Sequence, residues 1–100
     1  MEKRYFIKDA GEQNRVYVVQ TLHVRNNGKG HTWGIAGVFY DKNRANEKAI
    51  KIRDSHIEDW YESRNNGSYE IYEQETDLYT GSIEGKNSSF TIDVSEEYCN

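Results

Sequence analysis

Val16-Tyr17-Val18-Val19-Gln20-Thr21-Leu22-His23-Val24-Arg25, then Asn26-Asn27-Gly28-Lys29-Gly30, then His31-Thr32-Trp33-Gly34-Ile35-Ala36-Gly37-Val38-Phe39-Tyr40 is the stretch that decides the fold. Its two outer runs are rich in β-branched and aromatic residues, which favour extended backbone. The segment between them contains Asn-Gly, which supplies the positive-φ positions a hairpin turn requires. Asp41 comes next, and its carboxylate can accept from backbone N–H groups at a helix start. The helix it opens reads Arg44-Ala45-Asn46-Glu47-Lys48-Ala49-Ile50-Lys51-Ile52. The unit is a hairpin that delivers the chain into a helix lying across it.

Working outward, Ala45, Ala49, Ile52, His56 and Trp60 recur at helical spacing, with Ile50, Ile57 and Tyr61 beside them. That is an amphipathic stripe, and its small leading residues let a helix approach a sheet closely. Asp54-Ser55 is a candidate break, after which Ser55 would cap a second short helix from His56 to Ser63. Upstream, Arg4 to Lys8 reads as a short strand that turns through Asp9–Asn14 and pairs with the Val16 run. Downstream, Arg64–Ser68 is a loop, Tyr69–Thr76 and Leu78–Ile83 are candidate strands, and Gly85–Ser88 is a turn. Ser89–Val94 alternates cleanly, and Ser95–Asn100 reads as a frayed tail. The expectation is a single α+β domain over residues 1–100, ordered β-β-β-α-β-β-β. It holds an antiparallel sheet of about five to six strands with one main helix packed on one face.

Alternation assigns the hairpin two faces. One carries Val16, Val18, Leu22, Val24, Ala36 and Val38; the other carries Tyr17, Val19, His23, Trp33, Ile35 and Phe39. A symmetric five-residue turn would set His23 opposite Trp33 and Val24 opposite Thr32. The smooth aliphatic face is the expected seat of the helix. The aromatic face is then left for the C-terminal strands or a second copy of the chain to cover.

Composition bounds the function classes. Only 35% of residues are hydrophobic, so the core is lean and the eight tyrosines supply much of its area. Met1-Glu2-Lys3-Arg4 leads into only three apolar residues, so no signal peptide is expected there. No apolar run approaches the roughly 20 residues of a membrane span. With one cysteine, Cys99, an intramolecular disulfide is excluded, which suits a reducing cytoplasm. The net charge of −4 is unevenly spread: residues 1–50 hold 9 Lys and Arg against 5 Asp and Glu, and residues 51–100 hold 4 against 12.

No reaction chemistry is legible. His23, His31 and His56 lack metal-ligand spacing, so no metal or cofactor is expected. The many carboxylates sit among polar neighbours, where acid–base catalysis would need a pocket that shifts a pKa. Gly28-Lys29-Gly30 lacks the length and the ensuing helix of a phosphate loop.

Gly37-Val38-Phe39-Tyr40-Asp41 with Ala45 and Ala49, preceded by Val16-Tyr17-Val18-Val19-Gln20, resembles small bacterial and phage α+β domains of unknown function over residues 16–52. That resemblance implies a fold and no site. Small size, acidity and tyrosine content are also similar to phage-encoded inhibitors of host defence, of the anti-CRISPR type. This likeness implies an inhibitor working in the cytoplasm of a bacterial host.

The expected function is therefore a non-enzymatic protein-binding domain that meets a basic, nucleic-acid-handling protein. Charge would come from Glu58, Asp59, Glu62, Glu70, Glu73 and Glu75, and contact area from Tyr61, Tyr69 and Tyr72. The alternative is an RNA- or small-ligand-binding module in which Tyr17, Trp33 and Phe39 form a stacking platform. The acidic total argues against nucleic acid as a partner. A homodimer that buries the aromatic face is a further expectation.

Overall fold

The computed structural model describes residues 15–25, 28–63, 67–74 and 76–98. Five strands, β1 (Arg15–Arg25), β2 (Gly30–Phe39), β3 (Tyr69–Gln74), β4 (Thr80–Gly85) and β5 (Ser89–Tyr98), form one antiparallel sheet in the order β2-β1-β5-β4-β3. One helix, α1 (Lys42–His56), packs against it. The architecture is the expected α+β one, with five strands among the described residues. The expected strand Arg4–Lys8 lies outside them. Its expected pairing with the Val16 run falls outside them too, and along Tyr17–Val24 β1 is flanked by β2 and β5.

The helix begins as its sequence predicts. Asp41 is extended (φ −105°, ψ 121°), and its side chain accepts from the Asn43 N–H at 2.8 Å. Asp41→Ala should lower unfolding free energy by about 1 kcal/mol, the usual value of such a cap. A chemical-denaturation curve that overlays the parent would show that water replaces the cap at no loss. Ala45 and Ala49 are fully buried, and Ile52, His56 and Trp60 are half-buried along the same stripe.

The expected break at Asp54-Ser55 does not occur. The helix runs on into a π-helical turn, Ile57–Glu62, closed by the Ser63 N–H donating to the Glu58 carbonyl at 2.8 Å. Such turns insert one residue into the helical repeat and so re-aim the side chains beyond it. Here Tyr61 is sent inward to 3% exposure, over Gly85, where an added Cβ would lie 2.7 Å from its ring. The tail expected from Ser95 is also strand: β5 continues to Tyr98, paired with Arg15.

The helix takes the opposite sheet face from the one expected. Tyr17, Val19 and His23 face α1 together with Phe90, Ile92 and Val94 of β5, and Ile83 of β4 joins them. The reason lies in β5. Its outward residues are Thr91, Asp93 and Ser95, so a helix on the aliphatic side of β1 would leave Phe90, Ile92 and Val94 in water. The register of the first hairpin also differs from expectation. Leu22 pairs with Trp33 and His23 with Thr32, and a bulge sets both Gly37 and Ile35 against consecutive residues Val19 and Gln20, with Ala36 as the extra residue. Trp33 and Ile35 therefore share a face with Val18 and Leu22.

Candidate binding surface

The face away from α1 is covered by no described element. At its β2 end, Trp33, Ile35 and Val38 are 62%, 56% and 57% exposed. At its β3 end, Tyr72 is exposed and its hydroxyl donates to Glu70. Glu70 stands directly across from Glu84, and Ser82 donates to Glu84 at 2.6 Å. Like charges opposite one another on a sheet are destabilising.

Strand order turns the charge asymmetry of the sequence into a spatial one. β2 and β1 lie at one end and β5, β4 and β3 at the other. Where the ends meet, cations find carboxylates: Arg15 with Glu96 at 2.8 Å, Lys42 with Asp77 at 3.0 Å, and Arg53 with both Asp54 and Glu73.

The expected acidic, tyrosine-bearing set is divided by this geometry. Glu70 and Tyr72 lie on the open face. Glu58, Asp59 and Glu62 are exposed on the π-helical turn, on the helix side. Tyr69 joins the two groups across β3, with its ring 4.9 Å from that of Tyr61 and its hydroxyl 3.4 Å from a Glu62 carboxylate oxygen. Tyr61 is core, not contact surface, and its hydroxyl is 3.0 Å from the Ser88 hydroxyl. Glu73 turns toward the helix, and Glu75 lies outside the described residues. The expected platform is likewise not assembled. Tyr17 and Phe39 are paired beneath the helix, while Trp33 projects from the opposite face.

Sequence reasoning missed two polar clusters. In the first, Arg53 and Tyr79 both donate to one Glu73 oxygen, Tyr79 at 2.6 Å. They border a cleft of about 450 Å³ between Asn46, Ile50 and Arg53 of α1 and Glu73, Thr76 and Tyr79. The Tyr79 and Arg53 hydrogen bonds hold the Glu73 carboxyl below its ordinary range. Burial and that carboxylate push the Tyr79 hydroxyl up to about 12. The cleft therefore presents hydrogen-bonding groups, the Glu73 carboxylate held by Arg53 and Tyr79 and the amide of Asn46. Asn46 closes its rim, donating to the Asp77 carbonyl at 3.0 Å and accepting from the Tyr79 N–H at 2.9 Å.

The second cluster joins His23, His56, Trp60 and Phe90. His56 stacks on Phe90 at 3.9 Å, and the His23 ring stands edge-on 4.9 Å from His56. The Nε2 atoms of both histidines are buried with no hydrogen-bond partner among the described residues. Burial lowers the His56 pKa to about 4, with repulsion from His23 adding to the effect and Asp59 opposing it. Burial, then Arg25, lowers that of His23. The spacing of 33 residues hides this pair, and only the β1–α1 packing brings it together. Among the described residues no group of three or more His, Cys, Asp or Glu could hold a metal ion. None of their helices is long and apolar enough to cross a membrane.

No family model, curated protein or solved structure matches the chain.

Proposed function

We propose that this chain is a non-enzymatic protein-binding domain that engages a basic partner through the acidic surface wrapped around β3. The observation that carries the reading is the Glu70–Glu84 pair beside exposed Tyr72, in which neither carboxylate meets a cation among the described residues. A cross-strand like-charge pair lowers stability by a few tenths to about 1 kcal/mol. A cationic partner surface reverses its sign, and Tyr72 adds apolar area with a polar tip. Glu58, Asp59 and Glu62 extend the same field around the strand edge. A partner whose basic surface otherwise holds nucleic acid fits this chemistry, and blocking that surface would make the chain an inhibitor of the kind its composition resembles.

The test compares the parent with Glu70→Lys/Glu84→Lys in capture from nuclease-treated bacterial lysate, and then in binding kinetics with any protein retained. The expected result is a basic protein that the parent retains and the double variant loses. Its association should slow as ionic strength rises, because exposed charges are screened beyond roughly 8–10 Å at physiological salt. Retention by both chains, or an association rate indifferent to salt, overturns the reading. Trp33→Ala should leave folding nearly unchanged, since its side chain is mostly solvent-exposed; surface changes of this kind usually fall within about 0.5 kcal/mol. A lowered melting temperature would place Trp33 in a packed interface of the isolated protein.

A further inference from the structure

We infer that the opposite edge of the sheet, β2, is a docking site for an extended peptide segment in which acidic and apolar residues alternate. β2 is a ten-residue terminal strand, and among the described residues no backbone group pairs with its outer edge. Protein edges of this length are ordinarily blunted by charge or proline. Gly30–Phe39 contains neither, and only the bulge at Ala36 interrupts it.

The two sides of this edge differ in chemistry. On the open face stand Trp33, Ile35 and Val38, each more than half exposed. On the helix face, β2 presents Gly34 and Gly37, and a Cβ at Gly34 would meet nothing within 4 Å. On the same face, Phe39, Arg44, Glu47, Lys48 and Lys51 line a cleft of about 320 Å³. Arg44, Lys48 and Lys51 share one helix flank and span about 10 Å along its axis. None of the three takes part in an ion pair among the described residues. The contrast within α1 is informative: Lys42 and Arg53 are paired because they meet carboxylates of the C-terminal half. The flank toward β2 has only Glu47.

A strand added to β2 would project successive side chains to opposite faces. One row would meet Trp33, Ile35 and Val38, and the other would enter the cationic cleft. Apolar–acidic alternation satisfies both. Single-stranded nucleic acid could use the cations but would leave the backbone edge and the apolar row unmatched. A second copy paired β2 to β2 in one continuous sheet, with both helices on the same side, would set two cationic flanks against each other.

The test titrates end-capped peptides of alternating Val and Glu, or Val and Lys, into the full chain, with amide NMR and hydrogen exchange as readouts. The Val–Glu peptide should bind and slow exchange within Gly30–Phe39. Lys48→Glu/Lys51→Glu, both solvent-facing, should weaken it about tenfold or more. Methylation of the peptide nitrogens that face β2 should weaken it similarly by removing edge hydrogen bonds. Equal binding of the Val–Lys peptide overturns the inference. So does binding of a single-stranded oligonucleotide with no binding of the Val–Glu peptide, or self-association through β2 that excludes the peptide.

Discussion

Ala49→Asp should abolish folding. Ala49 is fully buried where α1 meets β1 and β5, inside the cluster that contains Val19, Ile83 and Ile92. An aspartate there adds volume where the helix lies closest to the sheet. It also buries a charge with no cation on the stripe of Ala45, Ile52, His56 and Trp60. A buried charge without its partner costs about 3–5 kcal/mol, and overpacking adds about 1–3. A domain of this size has about 5–15 kcal/mol in total. The measurement is thermal unfolding monitored by circular dichroism. A soluble variant that melts with the parent would mean that Ala49 faces water and that the helix is rotated from the phase described.

Acidification should loosen the end of the core where His23 and His56 meet, over a window set by His56. Its folded pKa is about 4, below the ordinary 6.5, because burial opposes the imidazolium and His23 adds repulsion. Between those values the unfolded chain binds a proton that the folded chain does not. Stability therefore rises with pH through the window and is lost as pH falls from about 6.5 toward 4. His56 is only half-buried, so the loss is discounted to about 1–2 kcal/mol. His23, lowered in the same direction, adds to it. Glu73 acts lower still: its depressed pKa contributes stability that is lost as pH falls from the ordinary carboxylate pKa through its own lowered one. His56→Phe keeps a ring against Phe90 and removes the titration. Urea unfolding at neutral pH and near pH 5 should show a smaller drop for His56→Phe than for the parent. An equal drop in both would assign the acid sensitivity to carboxylates.

The elements and the helix phase were legible from the residues alone, because both are set by neighbours along the chain. Asn-Gly turn chemistry, period-two alternation in Val16–Val24 and Ser89–Val94, the Asp41 cap and the Ala45–Ala49–Ile52 stripe are short-range signals. They sufficed for an α+β fold with one covering helix. The face that this helix covers was not legible, because the choice depends on the whole sheet. β1 offers apolar residues on both sides, and it is β5, at the far end of the chain, whose one apolar row settles the matter. The bulge at Ala36 was equally hidden, since any residue of β2 could be the extra one until the partner register is known. The pairing of Arg25 with Gly30 at the turn puts Trp33 opposite Leu22 on the open face, and the bulge then brings Val38 opposite Val18 and Phe39 opposite Tyr17. Tyr61 reads as a contact residue in an acidic stretch, yet a π-helical turn and the missing side chain of Gly85 make it core. The charge asymmetry was visible as a count, but whether it became a surface depended on strand order. β1 pairs with β5 and leaves β2 and β3 at the two edges, so Glu70 and Glu84 stand at the β3 end while Arg44, Lys48 and Lys51 of α1 gather beside Phe39 of β2.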